Sequence, residues 1–141
     1  MADWDSLWIE AGEMSGGSRN QVEFDQDLAS FFASDLPAIG SRNDLMIDAG
    51  KSWLECSFAA KKTSFGVLIY RLSLPTVARG GRDYQGQVLR FTRSGPSGSR
   101  YFRVDVVPDG SPEHLGWRES SAGNGTLGRS AGPGGREFGY L

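Results

Sequence analysis

The sequence predicts a mostly β fold, an antiparallel open pseudobarrel of about seven short strands with one or two short helices. Two observations carry this prediction. From residue 45 onward, apolar and polar residues largely alternate, which is typical of half-buried strands. Turn-forming stretches such as 94–99 (SGPSGS) and 108–112 (PDGSP) separate these segments, and many short strands divided by turns indicate a barrel or a sandwich.

The predicted elements follow in order along the chain. Strands are expected at residues 6–10, 21–24, 45–48, 52–58, 65–74, 87–92 and 100–107. One helix is expected from Asp25, a suitable N-cap, to residue 33, because Leu28, Phe31 and Phe32 recur at helical spacing. Between the fourth and fifth strands, residues 61–64 are expected to form a basic turn.

The domain organisation is expected to be simple. A chain of 141 residues is long enough for one domain with its own core. We expect residues 1–119 to form the pseudobarrel and 120–141 a Gly-rich loop or linker, because 120–135 (SSAGNGTLGRSAGPGG) holds almost no apolar side chain. The final segment 136–141 (REFGYL) is a possible last strand.

The composition indicates the cellular compartment of the protein. Cys56 is the only cysteine, which excludes an intrachain disulfide framework and fits a reducing environment. The first eight residues lack the apolar segment of a signal peptide, and no apolar run is long enough to cross a bilayer. We therefore expect a cytoplasmic protein.

Charge is segregated along the chain. Residues 1–50 hold ten acids and two bases, a net charge of −8, whereas residues 51–103 hold ten bases and two acids, a net charge of +8. A basic, Arg-rich segment with aromatic residues fits a phosphate-bearing partner such as a nucleic acid. The alternative is that the acidic and basic segments pair with each other across the folded surface.

Catalysis has little support in the sequence. His114, the only histidine, follows a turn-rich stretch and is expected to be a solvated loop residue, and one Cys with one His cannot supply a zinc quartet. Asp44, Asp48 and Glu55 flank Lys51, a composition found in metal-dependent nuclease sites, but this spacing favours an ordinary charged hairpin. We therefore expect no catalytic site, metal or cofactor in this chain.

Two loops with Gly-Gly pairs favour a binding function. Residues 13–21 (EMSGGSRNQ) and 76–93 (TVARGGRDYQGQVLRFTR) each join a Gly pair to side chains that can pair with base edges. Arginine can pair with guanine, Asn or Gln with adenine, and an acid with the cytosine amino group. The loops are therefore either two arms that grip a groove or two ordinary solvated loops.

The arrangement resembles the B-three-type pseudobarrel of plant transcription factors and of the effector (specificity) domains of type IIE restriction endonucleases. Residues 15–34 (SGGSRNQVEFDQDLASFFAS) resemble the family's Gly-Gly arm, strand and apolar helix. Residues 70–95 (YRLSLPTVARGGRDYQGQVLRFTRSG) resemble its second arm. The likeness covers about residues 6–107, while the acidic first segment and the Gly-rich tail depart from the family pattern.

The resemblance implies sequence-specific binding of double-stranded DNA by two arms in the major groove. The domain would be non-catalytic and covalently linked to the nuclease domain of a type II restriction endonuclease, in a restriction-modification system. The implied first-arm residues are Glu13, Ser15, Ser18, Arg19, Asn20 and Gln21. The implied base-reading residues of the second arm are Arg79, Arg82, Asp83, Tyr84, Gln85 and Arg90. The implied phosphate contacts are Arg42, Lys61, Lys62 and Arg93.

Two alternatives stay open. One is an RNA or single-stranded nucleic-acid binder that uses Tyr84, Tyr101 or Trp117 as stacking platforms. The other is a protein-interaction module whose contact is the Trp-bearing N-terminus. Competition between duplex DNA, single-stranded DNA, RNA and heparin discriminates among these functions.

Overall fold

The computed structural model describes residues 4–12, 20–95, 100–130 and 135–141, and there the chain forms one open, curled sheet. The strands are β1 Ser6–Glu10, β2 Gln21–Phe24, β3 Arg42–Asp48, β4 Trp53–Lys62, β5 Leu68–Ser73, β6 Gln87–Arg93, β7 Tyr101–Pro108, β8 Gly128–Arg129 and β9 Glu137–Tyr140. The helices are α1 Gln26–Ala29 and α2 Pro112–Asn124, with a 3-10 turn at Val77–Arg79. The fold is mostly β as predicted, but these described ranges contain nine strands rather than seven.

The sheet order is β2-β5-β4-β3-β7-β6-β1-β9-β8. Neighbouring strands are antiparallel except β3 and β7, which run parallel with Met46 opposite Tyr101. The predicted last strand is confirmed, because β9 pairs with β1 and so extends the same sheet. Strand β8, which was not predicted, lies in the segment that was expected to be a loop, and it pairs with β9.

The core fills the concave side of the curled sheet. Alternation along the strands places Cys56 and Phe58 inside, while Glu55 and Ser57 face outward, as the period-two pattern predicts. Phe32 lies at the centre, with its ring centroid 4.9 to 5.6 Å from those of five aromatic residues. Those five residues are Phe24, Phe31, Phe58, Phe91 and Phe102.

Helix α1 explains how the Phe pair reaches the core. Asp25 caps it as predicted, with its carboxylate accepting the Leu28 N–H at 2.9 Å. The helix ends at Ala29, earlier than expected, because the following residues form tighter i+3 hydrogen bonds from Phe31 to Leu28 and from Phe32 to Ala29. Both Phe31 and Phe32 are buried as a result.

Helix α2 corrects two expectations. Ser111 is its N-cap and Pro112 its first residue, and the helix runs to residue 124, so the predicted boundary between residues 119 and 120 falls inside it. His114, expected to be a solvated loop residue, is buried instead, with its ring centroid 5.5 Å from that of Trp8. The Trp8 indole N–H donates to Ser121 Oγ at 2.8 Å, which fixes α2 on the convex side of the sheet.

The hairpin between β4 and β5 also differs from the prediction. Lys61 and Lys62, expected in a turn, are the last residues of β4. The turn comes later, and it contains Phe65, which was expected to begin the next strand. Gly66 has a φ of 79°, a left-handed conformation that favours glycine and places the reversal here. No helix among the described residues is long and apolar enough to span a membrane.

Candidate nucleic-acid interface

The two predicted arms leave the same end of the sheet. The first loop joins the end of β1 to the start of β2, and the second joins the end of β5 to the start of β6. Because β1 pairs antiparallel with β6 and β2 with β5, these strand ends coincide. Four first-arm residues, Glu13, Ser15, Ser18 and Arg19, lie outside the described residues.

Hydrogen bonds join the two arms at their bases. The Asn20 side-chain amide donates to the Leu74 carbonyl at 2.6 Å, and the Leu74 N–H donates to the Asn20 carbonyl at 2.9 Å. The Gly86 N–H donates to the Gly12 carbonyl at 3.1 Å. Asn20, predicted to read a base, therefore uses its amide to hold the second arm, and the half-buried Gln21 begins β2 beside it.

Tyr84 belongs to the core. It is fully buried, and its hydroxyl donates to the Pro75 carbonyl at 2.6 Å, which closes the second loop on itself. Burial raises the pKa of the Tyr84 hydroxyl to about 12. The predictions that Tyr84 contacts a base or serves as an exposed stacking platform are therefore wrong for this structure, because no face of its ring reaches the surface.

The Gly pair of the second arm has a role in the fold. Gly80 ends the 3-10 turn with a φ of 91°, a left-handed conformation that suits glycine. A Cβ atom on Gly81 would overlap the Pro75 carbonyl oxygen. The loop thus needs glycine at both positions to close tightly.

Three exposed basic residues nevertheless gather on the second arm and the β3–β4 turn beside it: Lys51, Arg79 and Arg82, here called the arm patch. Arg82 Nε donates to the Ala49 carbonyl at 3.0 Å, which links the loop to that turn. A Cβ atom on Gly80 would lie 3.7 Å from Lys51 Cδ, so the lysine stem runs beside the loop. The Arg82 hydrogen bond and the Lys51 stem therefore bring the second arm and the β3–β4 turn together at the arm patch.

Two further predicted residues lie beside the arm patch. Asp83 is exposed, and its carboxylate accepts the Gln85 N–H at 3.1 Å, a local turn that fixes its direction. Gln85 is half-buried, and its Oε1 is buried with no hydrogen-bond partner among the described residues. Asp83 therefore has an exposed side chain that can contact a partner, whereas the Gln85 amide oxygen is buried in the loop.

Arg90 and Arg93 do not belong to the arm. Arg90 Nε donates to Ser6 Oγ at 3.0 Å, and its guanidinium lies 5.5 Å from the Trp117 ring of α2. Arg93 Nε donates to the Trp4 carbonyl at 3.1 Å, with its guanidinium 4.2 Å from the Phe31 ring. Both side chains are half-buried, and they connect β6 to β1, to α2 and to the segment around Phe31.

Lys61 and Lys62, predicted to contact phosphates, lie at the other end of β4 from the arms. Cys56 lies beside the arm bases, and Lys62 follows it by six residues along β4. At a rise of about 3.3 Å per residue, this distance is about 20 Å. Both lysines are exposed, as is Arg42, which lies opposite Ala59 on the neighbouring strand.

A cavity of about 210 Å³ opens on the convex face at the arm bases. It is lined by Asn20, Arg42, Asp44, Glu55, Cys56, Ser57, Ser73, Leu74 and Arg79. Three of these residues were predicted to contact DNA, and two belong to the carboxylates considered for a nuclease site. The fold therefore brings part of both predicted sets into one pocket.

Asp44 and Glu55 form a carboxyl pair in this pocket. A hydrogen bond to Asp44 and the charge of Asp44 raise the pKa of Glu55, while the charges of Arg42 and Arg100 act in the opposite direction. Asp48 is not part of the pair, because it lies 3.9 Å from Arg103 Nε. Among the described residues, no group of three His, Cys, Asp or Glu side chains is arranged to hold a metal ion.

Ion pairs account for part of the charge segregation. Glu23 of the acidic segment receives hydrogen bonds from the Arg71 guanidinium of the basic segment, with Nε at 3.0 Å. Asp48 and Arg103 also join the two segments. By contrast, neither the arm patch nor Lys61 or Lys62 makes an ion pair with any described acid. Among the described residues, these five bases are therefore the exposed cations that we consider for contact with an external anion.

The convex face carries a pair of aromatic residues, of which only one, Tyr101, was predicted to contact a nucleic acid. Trp53 packs edge-on against Tyr101 with ring centroids 5.1 Å apart, and the Arg103 guanidinium lies 5.8 Å from the Trp53 ring. Tyr101, predicted as a stacking platform, is 44% exposed. Trp117 is half-buried, and Trp8 is buried, so Trp8 is not a surface contact at the N-terminus. Sequence analysis did not single out Trp53, although the alternation along β4 places it on the outward face of the sheet, and this alternation is the signal that could have identified it.

Comparisons of the chain with models of protein families, with curated proteins and with solved structures find no match. The resemblance to B-three-type domains therefore stays a prediction that rests on the sequence pattern.

Proposed function

We propose that this chain binds double-stranded DNA in a sequence-dependent way through its two Gly-Gly loops. In this proposal it is the specificity domain of a type II restriction endonuclease, with a B-three-type pseudobarrel and a covalently linked nuclease domain. The observation that carries the proposal is the position of the loop bases, which lie at one end of the sheet and are hydrogen-bonded to each other.

The charge of this end supports an anionic partner. The arm patch presents three bases, and Asp83 is the exposed acid that accompanies them. Arginine can bond two acceptors of guanine at once, and an acid can accept from the cytosine amino group. Arg79, Arg82 and Asp83 are therefore the described residues that we assign to base contacts.

A second set of bases is assigned to phosphates. Lys61 and Lys62 are exposed and lie at the end of β4 away from the loops, and Arg42 is exposed on β3, where it also lines the pocket at the arm bases. Lysine presents a single charged point that suits phosphate, and phosphate contacts position a protein on DNA without reading its sequence. The proposed interface therefore separates sequence reading at the arms from anchoring along the sheet.

One specific observation favours a second candidate function, the binding of single-stranded nucleic acid. Tyr101 and Trp53 form an aromatic surface on the convex face with Arg103 beside it. Unpaired bases stack on such surfaces, whereas a duplex keeps its bases stacked on each other. Competition of duplex DNA against single-stranded DNA and RNA of the same sequence separates the two functions.

The experiment that tests the proposal begins with selection of bound sites from random duplexes. Affinity is then measured on the selected site and on a scrambled duplex at one salt concentration. Arg19→Ala and Arg82→Ala are each expected to cost about 1–3 kcal/mol, mainly on the selected site. Lys61→Ala and Lys62→Ala are expected to weaken both duplexes by similar factors.

Salt dependence provides an independent measurement. With the three bases assigned to phosphates, the slope of log K against log salt is expected to be about −3, and each lysine variant should reduce the magnitude of the slope by about one. A slope near zero would contradict DNA binding. If all four variants lower both affinities in equal proportion, the loops do not read bases, and only nonspecific binding to polyanions is left.

A further inference from the structure

Phe65 is the most exposed large apolar side chain among the described residues, at 93%. It lies at the tip of the β4–β5 hairpin, and the turn that carries it is well bonded. The Thr63 N–H donates to the Val67 carbonyl at 2.9 Å, and Thr63 Oγ1 accepts the Val67 N–H at 3.1 Å. The Gly66 N–H also donates to the Thr63 carbonyl at 2.9 Å. The turn therefore holds Phe65 outward as a defined projection.

The surroundings of the tip are apolar and basic. Val67 and Ile39 are each 54% exposed, and Lys61 and Lys62 lie just before the turn. A groove of about 410 Å³ runs beside the tip, lined by residues 39–42 and 59–62. Exposed apolar surface rimmed by charge marks an interaction site.

Charge decides which partner fits this tip. A two-fold contact between copies of this chain would bring Lys61, Lys62 and Arg42 of one copy against the same residues of the other, and such like charges repel. An anionic partner instead pairs with these bases while the aromatic ring contacts an apolar surface. Duplex DNA offers an anionic surface in its phosphates and an apolar surface in the faces of its stacked bases, which a wedge can reach between two base pairs.

We propose that the β4–β5 hairpin is a third DNA contact, in which Phe65 inserts as a wedge at a base step and Lys61 and Lys62 bind the flanking phosphates. This inference rests on the proposed duplex-binding function and adds a contact outside the two arms. Apolar side chains that insert in this way partly unstack the step and kink the duplex.

The position of the wedge follows from the length of β4 in a complex in which, as we propose, this strand lies along the duplex axis. The arm bases and Lys62 are separated by about 20 Å along β4. A duplex rises about 3.4 Å per base pair, so this length corresponds to about six base pairs. The kinked step is therefore expected about six base pairs from the sequence that the arms select.

Phe65→Ala tests the wedge, because a side chain this exposed contributes little to folding. The variant is expected to keep the wild-type urea midpoint and to bind the selected duplex about 5- to 150-fold more weakly, the range for loss of one aromatic contact with a base. Leu115→Ala is the matched control, since Leu115 is 54% exposed on α2, outside the hairpin, and its removal should leave affinity unchanged.

Fluorescence locates the contact directly. 2-Aminopurine is placed in turn at each position four to eight base pairs from the selected sequence, and its emission is expected to rise near the sixth position with wild type but not with Phe65→Ala. If the variant binds as tightly as wild type and no position brightens, the wedge is refuted while duplex binding stands. If wild type binds no duplex, the proposed function and the wedge both fail. If the tip instead carries binding to phosphatidylserine vesicles with duplex affinity unchanged by Phe65→Ala, its partner is a lipid surface and the inference is overturned.

Discussion

Tyr84→Phe tests the internal structure of the second loop, since it removes one hydroxyl and keeps the ring. The hydroxyl donates to the Pro75 carbonyl at 2.6 Å, and the Arg82 N–H lies 3.4 Å from it. Tyr84 is fully buried, so the variant leaves the Pro75 carbonyl without its partner in a place that water does not reach. The cost should therefore appear in the free energy of unfolding.

The magnitude follows from the chemistry of a buried, unsatisfied acceptor. Loss of one partner typically costs about 1–3 kcal/mol, more than the net value of an exposed hydrogen bond. We expect Tyr84→Phe to lower the free energy of unfolding at pH 7 by this amount. Tyr70→Phe is the matched control, because the Tyr70 ring is also buried but its hydroxyl makes no hydrogen bond to another described residue.

Alkaline pH gives the prediction a second signature. The pKa of Tyr84 is about 12 in the folded protein and about 10 when unfolded, so the neutral hydroxyl stabilises the fold fully below pH 10. This contribution is lost as pH rises from about 10 to 12, by at most about 2.7 kcal/mol. Tyr84→Phe has no such loss, so its stability deficit relative to wild type should shrink across that interval.

The assay is urea unfolding followed by circular dichroism at pH 7 and at steps from pH 9 to 11.5, with duplex affinity measured at pH 7. The comparison isolates Tyr84, because Cys56 and Tyr140, whose pKa values burial raises to about 11 and 12, are present in both proteins. We expect duplex affinity to change less than threefold. Unchanged stability together with a tenfold loss of affinity would place Tyr84 against the DNA and refute this loop structure.

Two further substitutions test close contacts by the same urea assay. Gly81→Ala should lower the free energy of unfolding by about 3 kcal/mol or more, because the new methyl group overlaps the Pro75 carbonyl. Gly116→Ala, with no atom near the added Cβ and a helical backbone, should instead raise it by about 0.5–1 kcal/mol; equal effects would contradict the loop packing. Ser121→Ala should cost about 1–3 kcal/mol, because the buried Trp8 indole N–H loses its acceptor, and an unchanged urea midpoint would show that α2 is held otherwise.

The strands were predictable because their burial is periodic. In β6, Leu89 and Phe91 face the core between partly exposed Arg90 and Thr92, and this alternation is visible in the sequence. The short helix at Asp25 was predictable for a related reason, since its cap and its apolar spacing are local. Neither prediction required knowledge of which strands become neighbours.

Helix α2 was missed because its stability does not come from an apolar stripe. It contains Gly116 and Gly123, which weaken a helix, and its contact with the sheet depends on Ser121 and His114 meeting Trp8. These partners are more than a hundred residues apart in sequence. Its end signals were nevertheless present, with Ser-Pro at the start and Gly125 in a left-handed conformation at the end.

The candidate site was only partly predictable, for a similar reason. Polar neighbours suggested an exposed Tyr84, but loop closure supplies the Pro75 carbonyl that satisfies its hydroxyl in the interior. Phe65 was assigned to a strand because apolar residues follow it, whereas Gly66 places the turn at that point. Local pattern gives the type of residue in a loop, but which side of the loop becomes buried depends on tertiary contacts.

The fold divides the segregated charge by location. Where a strand of the acidic segment pairs with one of the basic segment, register places opposite charges face to face, as with Glu23 opposite Arg71 and Asp48 opposite Arg103. Among the described bases that make no ion pair, those of the arm patch and Lys61 and Lys62 lie where strands end, whereas Arg90, Arg93 and Arg100 donate hydrogen bonds to neighbouring oxygen atoms. Cross-strand pairing thus neutralises the middle of the convex face and leaves positive charge at its two ends. Because the Asp44 and Glu55 pair lines the pocket at the arm bases, a long polyanion should be held by the exposed bases of the arm patch and of Lys61 and Lys62, and only weakly over that pocket. The double variant Lys61→Ala/Lys62→Ala should therefore remove one end of this attraction without reducing the preference for the selected sequence, which the arms at the other end determine.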